Sequence, residues 1–124
     1  MFATEPRKLF IIDGLGALLS AFLLGVVLVR FESIFGIPAS ALYLLASFPL
    51  GFVMYDAISY RIKGRTAALL KGIAILNLLY CGLSLSLALY HSETITMLGW
   101  AYILGEVGII ILLAILEIRA SHSL

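Results

Sequence analysis

Apolar residues run almost unbroken through four stretches, at about 9–29, 39–60, 67–89 and 96–118. A membrane-spanning helix needs about 20 mostly apolar residues, and each stretch supplies that many. Backbone N–H and C=O groups in lipid must be satisfied within their own segment, so helix is the only option at these lengths. The loops between them are short, which forces consecutive helices to be antiparallel neighbours. The pattern predicts an all-α, four-helix transmembrane bundle, with residues 1–124 forming a single integral membrane domain.

Local punctuation agrees with these limits. Pro38 suits the first turn of the second helix, where its missing N–H is no loss. Gly64 can end that region, Thr66 can cap the third helix, and Ser92 or Thr94 can cap the fourth. Pro49 falls near the middle of the second span and is expected to kink it.

Composition narrows the class. The chain is 63% hydrophobic and 12% charged, with mean hydropathy +1.15. Soluble domains carry roughly 45–50% apolar and about 25% charged residues. What remains outside the spans is too short for an extramembrane domain, so function must reside in helix interiors, loops or a partner. The net charge of +1 argues against nucleic acid as a partner. The single cysteine, Cys81, lies inside the third span, which excludes a disulfide framework and reads as a small packing residue. Arg7 and Lys8 precede an apolar run, and Ala39-Ser40-Ala41 has the form of a cleavage site. The run is longer than the roughly 7–15 residues of a signal peptide, and Ala39 lies well beyond it, so the segment is expected to stay as a span.

Charge gives an orientation. Of the eight Lys and Arg, seven (Arg7, Lys8, Arg61, Lys63, Arg65, Lys71 and Arg119) fall on one side of a four-span layout. Only Arg30 falls on the other. Positive-inside bias then predicts both termini cytoplasmic in the inner membrane of the cell. Phe31, Phe35, Tyr43, Tyr90 and Trp100 suit the outer interface, and Phe10, Tyr55 and Tyr60 the inner one. A small-residue stripe, Ala17, Ala21 and Gly25 with Gly14, Gly16 and Ser20 beside it, marks close helix packing, either within the chain or against a second copy.

Polar residues inside the spans form two layers. An ionisable group near the bilayer centre costs about 2.5–3.5 kcal/mol on insertion scales, so it faces the bundle interior and has partners. Glu106 and Asn77 lie near the centres of adjacent antiparallel spans, and a hydrogen bond between them is expected. Ser20, Tyr80 and Tyr102 lie at similar depth. With no Lys or Arg at that level, Glu106 reads as a neutral donor or a proton-binding group. The second layer is one to two turns in from the cytoplasmic face, where Asp13, Asp56 and Lys71 are expected to form an ion-pair cluster. Glu117 and Arg119 read as interfacial flanks, and Lys71 can snorkel towards the headgroups.

Other chemistry has little support. His91 and His122 are isolated, so no bis-histidine haem site or metal set is expected. Asp13-Gly14-Leu15-Gly16 lacks the preceding strand and the full spacing of a phosphate loop. No nucleophile–base set lies within the spans, so neither an enzyme nor a cofactor is expected.

The run Phe10-Ile11-Ile12-Asp13-Gly14-Leu15-Gly16-Ala17, with Asn77-Leu78-Leu79-Tyr80 and Gly105-Glu106 later, resembles small bacterial four-span inner-membrane proteins of uncharacterised function. That resemblance implies no activity. The layout is also similar to the small multidrug resistance transporters, which carry a carboxyl in their first span. Theirs is a glutamate in a different local setting, Asp13 is nearer the membrane edge, and the charge bias departs from dual-topology members. The sequence therefore points to a small integral membrane protein that binds or conducts a small solute or proton through its polar interior. The alternative is an accessory subunit of a larger membrane complex. The bilayer is the first partner, followed by a second copy or that complex.

Overall fold

The computed structural model describes residues 6–123, which are helical with no strand. Helix α1 covers Lys8–Phe22 and continues as a π-helical segment, Leu23–Leu28. A single turn, α2, covers Glu32–Phe35, and α3, α4 and α5 cover Ala39–Arg61, Thr66–Tyr90 and Met97–His122. Four segments are long and apolar enough to cross a membrane, at 21, 23, 25 and 26 residues in chain order. The expected four-helix bundle is therefore present. Its last helix continues to His122 instead of stopping near residue 118.

The bundle is built from two close pairs. α1 packs along α3, and α4 along α5, while α3 and α4 join the pairs more loosely. α1 and α5 scarcely meet. Small residues explain the first pair. A Cβ on Gly25 would stand 3.3 Å from the Ala46 Cβ, and one on Gly14 would stand 3.4 Å from the Asp56 Cβ. That part of the small-residue stripe serves packing within the chain, as small residues do where lipid gives helices no hydrophobic drive to associate. Leu24, Leu42, Leu45, Leu70 and Ile73 fill the core. Leu15, Met54, Leu79 and Ile109 point outward, an arrangement that lipid tolerates and water does not.

The two ends are closed differently. At the Arg30 end, Gly36 takes the left-handed conformation (φ 72°), and a Cβ there would collide with the Thr94 carbonyl oxygen. This close approach lets the Thr96 amide donate to the Phe35 carbonyl at 3.1 Å, while its hydroxyl donates to the Ile34 carbonyl at 2.6 Å. The Thr96 hydroxyl oxygen also accepts from the Gly99 amide and caps α5, so the cap is Thr96 and not Ser92 or Thr94. Glu32 Oε2 accepts from the Ala39 amide at 3.0 Å, at the start of α3. Pro38 precedes that helix as its N-cap, and Pro49 lies within it, with the helix continuing to Arg61. At the basic end, the Arg7 guanidinium donates to the Tyr60 carbonyl and lies 4.9 Å over the Tyr60 ring. Tyr55 donates to the Leu69 carbonyl at 2.9 Å, an approach that Gly72 leaves room for.

Candidate functional site

Each long helix turns a stripe of positions inward, and the polar residues of interest lie on those stripes. On α5 the stripe contains Ile103, Glu106, Val107, Ala114 and Glu117. Glu106 and Glu117 are eleven residues apart, close to three turns, so they share a face. On α4 the stripe contains Ile73, Ala74, Asn77, Tyr80 and Cys81. Asp13 lies between Phe10 and Ala21 on α1, and Asp56 between Phe52 and Ser59 on α3.

Glu106 is the centre of the first cluster. Tyr80 donates to its Oε1 at 3.3 Å, and Tyr102, one turn earlier on α5, donates to Oε2 at 3.2 Å. Ser20 of α1 lies within hydrogen-bonding reach of the same carboxyl. Glu106 and Tyr80 are both buried. The Tyr80 ring meets Phe52 edge-on at 6.1 Å, which holds its hydroxyl towards Glu106. Cys81 is buried against the Val107 carbonyl, a packing position. Three hydroxyl groups from two other helices and the neighbouring turn thus converge on one carboxyl.

Asn77 does not join them. Its amide instead donates to Asp13 Oδ1 at 2.7 Å and to Glu117 Oε1 at 3.2 Å. The expected Glu106–Asn77 bond is replaced by this pair. Glu117 is fully buried, not an interfacial flank. Asp13 lies within hydrogen-bonding reach of both Asp56 and Glu117. Lys71 is on the exposed side of α4, away from the buried stripe that holds Asn77. The second layer thus consists of Asp13, Asp56, Asn77 and Glu117, one from each long helix.

A cavity of about 360 Å³ lies where α1 and α5 fail to close. Asp13 and Asn77 line one part of it, and Ser20, Tyr80, Tyr102 and Glu106 another. Pro49, Phe52, Leu113, Ile109 and Ile110 supply apolar wall, and Gly16 and Gly105 widen it. A Cβ on either glycine would meet nothing within 4 Å. The volume is within the range of small-molecule sites, which combine apolar walls with a few placed polar groups. Among the described residues, no group of three or more His, Cys, Asp or Glu is arranged to hold a metal ion.

Comparison with known proteins gives no match: no protein family, curated protein or solved structure is significantly similar to this chain.

Proposed function

We propose that this small integral membrane protein binds a small solute in the cavity between α1 and α5, with Glu106 as the polar contact. The observation that carries this reading is the cavity itself. It is mostly apolar, of ligand size, and has a carboxyl ringed by hydroxyl groups on its wall. A carboxyl kept only to lock helix pairing has no need of an adjoining space of that volume. Conduction of the solute, or of a proton, along the same interior is the broader form of the reading. The Lys/Arg count supports an orientation with both termini cytoplasmic in the inner membrane. An accessory subunit is the rival class, and it leaves the cavity without a purpose.

Native mass spectrometry of gently solubilised protein tests the proposal. Wild type is expected to retain a small molecule that Gly105→Leu loses, because Gly105 lines the cavity and a Cβ there meets nothing within 4 Å, so a larger side chain has room to enter it. The substitution also removes a helix-interior glycine, which favours the helix by up to about 1 kcal/mol, so a folding defect is not expected. A wild-type protein without ligand, or one whose ligand survives Gly105→Leu, would count against the solute reading.

A further inference from the structure

We propose that Asp13, Asp56 and Glu117 hold a proton in common, so that this four-helix layer is a proton-binding site that opens onto the cavity through Asp13. It extends the proton form of the reading above to a second group of acids, and it stands whether or not the cavity takes a solute.

The argument starts from donors. Asp13, Asp56 and Glu117 are 3%, 2% and 0% exposed. Buried carboxylate oxygens need donors or a cation. Asn77 has two amide hydrogens, and it gives one to Asp13 and one to Glu117. None is left for Asp56. Among the described residues, both Asp56 oxygens and Glu117 Oε2 are without an amide, hydroxyl or cationic donor. The contacts that remain to them are with the Asp13 carboxyl. A carboxyl bonds to another carboxyl only when a proton lies between them. Like charges this close cannot all ionise, as two carboxylates sharing one site show.

Among the described residues, no basic side chain enters the layer. The nearest basic residues along the four helices are Lys8 on α1, Arg61 on α3, Lys71 on α4 and Arg119 on α5, and all four side chains are exposed. Among the described residues, Arg7 alone of the Lys and Arg is half-buried, and its guanidinium goes to the Tyr60 carbonyl and ring. Tyr55, beside Asp56 on α3, gives its hydroxyl proton to the Leu69 carbonyl. His122, at the end of α5, is exposed. Asp13 belongs both to this layer and to the cavity wall, so a proton held here is adjacent to the cavity.

Infrared difference spectroscopy of the full chain in liposomes, in H2O and D2O at neutral pH, tests the proposal. Wild type is expected to show a protonated-carboxyl C=O band that shifts on deuteration. Part of that band should persist in Glu106→Gln and be lost in Asp13→Asn, which removes the acid common to both contacts. Asp56→Asn should weaken or shift it without abolishing it, because the contact between Asp13 and Glu117 remains. The comparison of wild type with Glu106→Gln stands even if the aspartate variants fail to fold. Three results would each overturn the proposal. The wild-type band is absent, it vanishes completely in Glu106→Gln, or it appears in choline buffer and disappears in sodium, when a metal ion takes the proton's place. Solute binding fails by a different readout, retention in the mass spectrometer.

Discussion

Asn77→Leu is the most informative single substitution, because Asn77 is the one residue whose amide ties α4 to both α1 and α5. The change keeps the side chain close in size and removes two hydrogen bonds, at 2.7 Å and 3.2 Å. Polar contacts between helices in membranes average about 0.6 kcal/mol, with a maximum near 1.7. Two of them together therefore cost about 1.2–3.4 kcal/mol, and the short bond to Asp13 favours the upper half. The removed donors leave Asp13 and Glu117 buried with fewer partners, which adds to the cost. Reversible unfolding in mixed detergent–SDS micelles measures it. The couplings should separate the two clusters. Asn77→Leu with Asp13→Asn should be non-additive, since the residues share a bond. Asn77→Leu with Glu106→Gln should be additive to within about 0.3–0.5 kcal/mol, since they share none. Non-additivity in the second pair and additivity in the first would refute the assignment of Asn77 to the acidic layer.

Three further outcomes follow from other parts of the fold. Gly99→Ala should destabilise by about 1–3 kcal/mol in the same unfolding assay, because its Cβ would strike the Phe35 backbone carbonyl; Gly105→Ala, with open space around it, should not destabilise. Glu32→Ala should cost about 0.5–1 kcal/mol by leaving the Ala39 amide and the positive end of α3 without an acceptor, and Glu32→Gln should recover part of it. In a Cys81→Ser background, Ile34→Cys and Ser92→Cys should react with an impermeant thiol reagent in intact cells while Lys63→Cys should not; labelling at position 63 alone would reverse the orientation.

The spans were legible in the chain because lipid leaves the backbone no alternative to helix, so runs of apolar residues translate directly into elements. Depth was legible for the same reason, since each residue advances about 1.5 Å along the axis. Depth placed Ser20, Tyr80 and Tyr102 around Glu106, and Asp13 level with Asp56. What depth does not contain is direction around the helix. Successive residues turn by about 100°, and a helix apolar on every side gives little sign of which face turns inward. Lys71 and Asn77 show the consequence. Ile73, Ala74 and Asn77 share the inward face of α4, and Lys71 faces out. Glu117 was misplaced because the last helix runs on to His122, which carries that carboxyl inward from the edge. Its spacing from Glu106 was the available signal. The cleft between α1 and α5 had no sequence signal at all. It exists because each of these helices spends its close-packing face on another neighbour, α3 or α4, and only the assembled bundle decides which pair of helices is left apart.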